Sequence, residues 1–302
     1  MRSYGDHFAV RYGFVMKNII ELQSVSYVYS KGTPFENHAL KNIALNIEEG
    51  TITGIIGHTG SGKSTLVRLF NGLERPTSGT VLLDGEDIWN DPKKIGKVRF
   101  KVGLVMQYPE YQLFEETVRA DIAFGPKNMG LSQDEINDRV IRYSALVGLD
   151  PEILDKSPFE LSGGQKRRVA IAGIMAMKPR VLVLDEPAAG LDPEGRKNLF
   201  DAIDEYRRSE DATVIIVSHS MEDMADRCDR IAVLYKGELI ASGDASEVFS
   251  EPQILIDAGL DVPEITRIAM LISQNGFSGK KAVYTVKQAV DFVMDVIKEG
   301  KK

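Results

Sequence analysis

The chain has 302 residues, 43% hydrophobic and 27% charged, with a net charge of -7. This is an ordinary globular composition, long enough for one large or two modest domains with hydrophobic cores. The acidic total disfavours nucleic-acid binding, which needs a basic face or stripe, and the single cysteine, Cys228, excludes an intrachain disulfide framework and fits a reducing cytosol.

In chain order, residues 1–15 read as an N-terminal extension without the apolar stretch of a secretory signal; a strand-like run begins just after Met16, so translation could start at Met1 or at Met16. Short β-like runs follow at 19–29, 44–47, 52–56 and 81–83, separated by Gly, Pro, Asn and Asp. A further strand is expected at 103–106. From about 110 to 170 the pattern is helical: Ser132 and Glu135 form a capping box, and Ile136, Val140, Tyr143 and Val147 share one face before Gly148. The runs 181–184 and 214–217 are apolar throughout, as in central strands of a parallel sheet covered by helices. A hairpin is expected from 231–234 and 238–241 around Lys236-Gly237. Beyond residue 250 comes a helical tail, whose last helix opens with Thr285 and Gln288 and carries Val286, Ala289, Val290, Val293 and Ile297 on one stripe. That stripe reads equally as internal packing or as a dimer surface. No run approaches the 18 or so apolar residues of a membrane-spanning helix, so a membrane role would act through a partner.

Three motifs carry chemistry. Gly57-His58-Thr59-Gly60-Ser61-Gly62-Lys63-Ser64 lies between an apolar strand and a helix, where glycines let backbone N–H groups curl round a phosphate and the helix N-terminus faces it. Chance would produce this pattern in on the order of 0.02 chains of this length. Lys63 should reach the β- and γ-phosphates and Ser64 should ligate Mg²⁺. Asp185, ending the strand 181–184, can hold the Mg²⁺ shell opposite Ser64, and Glu186 is placed to polarise the attacking water. The pentapeptide Leu161-Ser162-Gly163-Gly164-Gln165 heads a helix expected at 166–175 that Ser162 can cap.

That pentapeptide is the signature of the ATP-binding cassette (ABC) ATPases, which the chain resembles over roughly residues 16–249. The resemblance implies an α/β P-loop NTPase fold: a RecA-like parallel sheet core, an N-terminal antiparallel β subdomain and a helical signature subdomain at about 110–170. It implies ATP and Mg²⁺ as ligands, and a head-to-tail dimer in which one subunit's signature, Ser162, Gly163, Gly164 and Gln165, closes over the γ-phosphate held by the other's phosphate loop, with Thr65 adding a contact. Gln107 matches the Q-loop glutamine near Mg²⁺, Asp192 the D-loop aspartate, and His219 the γ-phosphate switch histidine. Tyr29, with Tyr27 as competitor on the same strand face, matches the aromatic that stacks on adenine. Glu186, His219, Gln107 and Lys63 are thus the expected catalytic set, and Ser64, Gln107 and Asp185 the metal set. One departure is Ala188, where many members carry a hydroxyl residue.

The segment from Gln107 to Val118, Gln-Tyr-Pro-Glu-Tyr-Gln-Leu-Phe-Glu-Glu-Thr-Val, together with His58 and the run 121–126, resembles the ATPases of energy-coupling factor (ECF) importers, in particular the second ATPase of the vitamin-type module. This implies a related second ATPase, a transmembrane coupling protein, a substrate-binding membrane subunit, and a place at the cytoplasmic face of the membrane. Residues 250–302 would then aid dimerisation. A homodimeric cobalt- or nickel-type ATPase is the nearest alternative; an ABC ATPase acting on DNA is disfavoured because no sustained heptads separate Ser64 from Leu161. Glu115, Glu116 and Asp121 are expected on one helix as an acidic groove for the coupling protein.

Overall fold

A computed structural model describes residues 17–274 and 283–299; the expected extension, 1–15, and Met16 lie outside the described residues. Two long strands open the fold, β1 (Asn18–Tyr29) and β2 (Asn37–Glu48), then β3 (Ile52–Ile56), α1 (Lys63–Phe70), β4 (Ser78–Leu83), the two-residue β5 (Glu86–Asp87), α2 (Ile95–Lys101) and β6 (Val102–Val105). Helices follow: α3 (Val118–Asn128), α4 (Gln133–Leu146) and α5 (Gly163–Met175). Strand and helix then alternate through β7 (Val181–Asp185), α6 (Pro193–Glu210), β8 (Thr213–Val217), α7 (Met221–Arg227), β9 (Arg230–Tyr235) and β10 (Glu238–Asp244). The chain ends in α8 (Ala245–Ser250), α9 (Pro252–Asp257), α10 (Glu264–Gln274) and α11 (Val286–Glu299).

The strands form two sheets. One is antiparallel, ordered β2-β1-β4-β5; the other is ordered β10-β9-β3-β8-β7-β6. In the second, β9, β3, β8, β7 and β6 run parallel and β10 pairs antiparallel at the edge. Every residue of β3, β7 and β8 is buried, because helices cover one face and the antiparallel sheet with α1 covers the other. Alternation along β7 divides its side chains: Leu182 and Leu184 pack with Val140, Tyr143, Val169 and Phe200, while Val181 and Val183 pack with Leu66, Phe70 and the β1 and β2 residues Ile20 and Leu40.

The expected strands and helices are present, with shifted bounds. β2 begins seven residues earlier than the run 44–47 suggests; Asn37, His38, Lys41 and Asn42 hide it, yet Leu40, Ile43, Leu45 and Ile47 all point into the core. α5 starts at Gly163 rather than 166, because Ser162 and Gln165 form a full capping box that admits the glycines to the first turn. The hairpin turns through Lys236 (φ 48°) and Gly237 (φ 82°), the left-handed pair that a two-residue connection requires. Thr285 and Gln288 cap α11 in both directions. That helix buries Ala289 and Phe292, with Val296 packed alongside, against Ile265, Ala269 and Ile272 of α10. Of the expected stripe only Ala289 is inside; Val286, Val290, Val293 and Ile297 stay exposed, since the larger Phe292, three residues on from Ala289, takes the inner face. Among the described residues, no helix is long and apolar enough to cross a membrane.

Truncating Leu182, fully buried at the centre of the parallel sheet, should cost about 2–5 kcal/mol. Urea unfolding of Leu182→Ala, read at unchanged m-value, checks this.

Candidate active site

The carboxyl ends of the parallel strands converge on one cleft of about 330 Å³, the place where such sheets bind ligands. Residues 57–62 link β3 to α1, Asp185 ends β7 with Glu186 next in the chain, and Gln107 and His219 follow β6 and β8. Lys63, Ser64, Thr65, Gln107, Asp185, Glu186 and His219 all line this cleft, together with Thr59, Gly60, Gly62 and Tyr29. Gly62 sits at φ 106°, and a Cβ there would lie 2.5 Å from the Ala39 carbonyl oxygen, so only glycine fits where the loop enters α1. No side chain caps that helix, which leaves its first N–H groups and its positive end facing the cleft, an arrangement suited to an anion.

Lys63, Asp185 and Glu186 are close and shielded from water, while the His219 ring beside them is half exposed. Lys63 is buried; its Nζ donates to the carbonyls of Gly57 at 2.6 Å and His58 at 3.0 Å. Ser64 Oγ donates to Asp185 Oδ2 at 3.0 Å. Burial lowers the Lys63 pKa against the pull of Glu186 and Asp185, and burial raises that of Asp185 against its Ser64 hydrogen bond and Lys63. Burial, then the Asp185 charge, pushes Glu186 up to about 7, with Lys63 opposing. Burial, then Lys63, lowers His219, opposed by Asp185. Glu186 Oε1 lies 3.2 Å from His219 Nε2, off the direction a hydrogen bond requires, and is a buried oxygen without a hydrogen-bond partner. Its backbone is left-handed, φ 53°, which costs about 1–3 kcal/mol for a non-glycine residue. The Glu186 N–H bonded to the Val217 carbonyl at 2.9 Å holds it there.

These residues fit ATP with Mg²⁺. The uncapped helix end and the Lys63 ammonium suit phosphates, and the hydroxyl–carboxylate pair of Ser64 and Asp185 supplies hard oxygen ligands. Among the described residues, no group of three or more His, Cys, Asp or Glu could hold a metal, so a cation here would depend on nucleotide oxygens for further ligands, as Mg²⁺ in phosphate-transfer sites does.

Some predicted residues lie elsewhere. Gly57 and Ser61 are buried beneath the loop rather than lining the cleft, and the His58 ring packs edge-on to Tyr235, centroids 5.4 Å apart. The two tyrosines separate clearly. Tyr29 lines the cleft, its hydroxyl 3.1 Å from Thr65 Oγ1, whereas Tyr27 donates to Glu74 at 2.5 Å and props the Tyr29 ring edge-on at 4.7 Å. Asn37, His38 and Ala39 of β2 also line the cleft; the sequence reading missed them with the first half of that strand. Ser162, Gly164 and Asp192 open onto a different cleft of about 400 Å³, while Gln165 is turned back on the Ser162 N–H and Gly163 is exposed beside it. Asp192 caps α6, accepting from the Gly195 N–H at 2.6 Å. Within one chain, the signature and the phosphate loop are therefore not brought together.

The acidic groove needs correction. Glu115 and Glu116 precede α3, which Thr117 caps, because the Thr117 hydroxyl takes the Ala120 N–H and starts the helix only there. Of the three carboxylates only Asp121 lines the adjacent groove of about 480 Å³, whose other walls include Phe100, Leu113, Phe114, Phe124, Ile174 and Met177. Asp121 Oδ1 accepts from the Phe114 N–H at 3.3 Å, its Oδ2 is buried without a hydrogen-bond partner, and burial raises its pKa.

The Glu186 shift has a sign. A folded-state pKa raised above the ordinary glutamate value means that ionising Glu186 disfavours the folded chain, a cost absent below about 4.5 and complete above about 7. In metal- and nucleotide-free protein, Glu186→Gln should therefore raise Tm at pH 8 and leave it nearly unchanged at pH 4.5; thermal unfolding of both forms at the two pH values checks this.

The family model described as ABC transporter matches residues 40–189, and a shorter match to an AAA domain model spans 157–224. The chain is 49% identical over 284 residues to the energy-coupling factor transporter ATP-binding protein EcfA2 of Clostridium acetobutylicum, covering 94% of this chain and 99% of that one. It is 50% identical over 271 residues to the protein of the same name from Clostridium tetani, covering 89% and 94%. Among solved structures, cbiO1 from Clostridium perfringens, part of the ABC transporter complex cbiONQ, superposes with a TM-score of 0.71 at 40% identity, covering 85% of this chain and 99% of that one. The ATP-binding cassette MJ0796, solved as a dimer in a post-hydrolysis state bound to ADP and Pi, superposes at 0.68 with 29% identity, covering 75% and 98%. With the phosphate loop, the paired carboxylates and the signature placed as above, the chain belongs to the ABC transporter ATPases, in the group of energy-coupling factor ATP-binding proteins.

Proposed function

We propose that this chain hydrolyses ATP as one half of a nucleotide-sandwich dimer and so drives an ECF-type importer of vitamins or other micronutrients. The observation that carries this is the separation of the two clefts: Lys63, Ser64, Asp185 and Glu186 meet in one, and Ser162 opens onto the other. A γ-phosphate can touch both sets only if a neighbouring chain supplies one of them. The neighbour is a related second ATPase, as the resemblance to the vitamin-type ECF module implies; a second copy of this chain is the alternative, for which the dimeric structure of the cassette MJ0796 is the precedent. Mass spectrometry of chains co-purified from membranes separates the two.

In this site Tyr29 carries the base, a stacking contact of about 0.5–1.5 kcal/mol beyond area burial. Lys63 and the α1 N-terminus hold the phosphates, and Ser64, Asp185 and Gln107 hold Mg²⁺, which supplies charge neutralisation when bound. Glu186 takes the proton of the attacking water. A base whose pKa lies near 7 combines availability with driving force at working pH. His219, beside Glu186, faces the γ-phosphate end, its pKa lowered by partial burial and then by Lys63. ATP does work because it binds the closed dimer better than the open one. The membrane-embedded coupling protein docks in the apolar groove, with Asp121 as its acidic anchor, and a separate membrane subunit selects the substrate. The chain then sits peripherally at the cytoplasmic face.

Two outcomes check this. Glu186→Gln should lower kcat by about 10²–10⁴ while ATP binding persists; near-normal turnover would reject Glu186 as the base. Asp121→Lys should stop co-purification of the membrane partner and leave ATP affinity unchanged; intact assembly would remove Asp121 from the docking surface.

A further inference from the structure

One buried cation joins the apolar groove, the loop after β7 and the signature helix. Arg167 lies in the second turn of α5 and is 7% exposed. Its Nε and Nη2 donate to the two carboxylate oxygens of Glu110 at 3.3 and 3.2 Å. Its Nη1 donates to the Pro187 carbonyl at 3.5 Å and to the Ala189 carbonyl. A planar guanidinium imposes one geometry on all these partners, which a lysine ammonium could not do.

Each partner belongs to a segment with a different task. Glu110 sits in the short turn Pro109–Gln112, just after Gln107, and Pro109 and Gln112 line the groove. Pro187 directly follows Glu186, and Ala189 leads through Gly190 and Leu191 to Asp192. Arg167 shares a helix with Ser162 at its N-cap and itself lines the signature cleft. Stability alone is a weak reason for such a pair, because apolar replacements of buried ion pairs are often neutral or better; fixing a register between moving parts is the better-attested use.

We infer that Arg167 is a positioning residue for hydrolysis. By clamping Glu110, Pro187 and Ala189 together, it makes the placement of Glu186 and Ser162 depend on what occupies the groove. This rests on the preceding reading that a membrane partner docks there. A partner that shifts the turn at 109–112 must carry Arg167 with it or break a buried bidentate pair, so the signature helix and the loop bearing Glu186 respond as a unit.

The test uses the assembled transporter in proteoliposomes with three variants of this chain: Arg167→Lys, Glu110→Gln and both together. Each single variant should lower kcat at least tenfold, with KM and ATP affinity within twofold of the unaltered protein. The double variant should lose no more than the worse single one, since both changes cut the same link. Turnover per ATP-binding chain that stays unchanged, or losses that multiply, overturns the inference; a purely structural pair would lower Tm and yield without splitting kcat from KM. If Arg167→Lys fails to fold, Glu110→Gln carries the test alone by the same kcat criterion. A membrane partner that stays fully assembled with Asp121→Lys would defeat the underlying docking reading, whereas normal turnover of the Arg167 and Glu110 variants with Asp121→Lys disrupting assembly would defeat only the clamp.

Discussion

An ammonium and two carboxylates held out of water at the ends of parallel strands are the constraint on which this structure turns. Lys63, Asp185 and Glu186 each carry a desolvation cost, which lowers the lysine pKa and raises those of the carboxylates; Lys63 offsets part of both carboxylates' cost by opposite charge, while Asp185 adds to that of Glu186. The fold maintains the arrangement with fully buried, largely apolar strands. β3, β7 and β8 are buried along their whole length, so the chain leaves the sheet at fixed points and delivers the charged residues to one edge. Glu186 is also held in a left-handed conformation, a strain of the kind found at functional sites.

The same geometry keeps the signature apart from the phosphate loop within one chain. Lys63, Ser64, Asp185 and Glu186 meet in one cleft, and the capped N-terminus of α5, bearing Ser162, lies in another. On the proposed reading the missing half is supplied by a neighbouring chain, and the free energy of closing the sandwich is what moves the membrane partner. Two further features place this force. On that reading the apolar groove lined by Pro109 and Gln112 is the docking surface, and Arg167 ties the adjoining turn to both the signature helix and the loop after β7. The transporter's moving parts would thus be coupled through close, directional contacts rather than through long-range flexibility.

Much of this was legible in the sequence, for physical reasons. Apolar runs flanked by Gly and Pro mark the central strands because a doubly covered strand has no solvent face for charged residues, and the glycine loop is legible because glycines let several backbone N–H groups converge on one phosphate. The Ser162–Gln165 box and the Thr285–Gln288 box could be read because each is a local hydrogen-bond exchange. What escaped depends on the third dimension. β2 hid behind the polar residues at 37, 38, 41 and 42, whose solvent exposure only the antiparallel pairing with β1 explains. The helix expected to carry Glu115 and Glu116 starts later because Thr117 wins the cap. The stripe on α11 rotated because Phe292 outcompetes smaller residues for the inner face. Which of Tyr27 and Tyr29 faces the cleft turned on Glu74, a residue far off in sequence.

The most direct test of the central claim concerns the environment of Ser162 when nucleotide is trapped. The only native cysteine of this chain, Cys228, is buried, so a Ser162→Cys, Glu186→Gln chain labelled with maleimide in its assembled complex and then separated from its partners reports on that one exposed thiol. The account predicts that ATP with Mg²⁺ protects the new thiol strongly relative to nucleotide-free complex, because a neighbouring chain's triphosphate closes over it. A labelling rate unchanged by bound ATP would contradict the account.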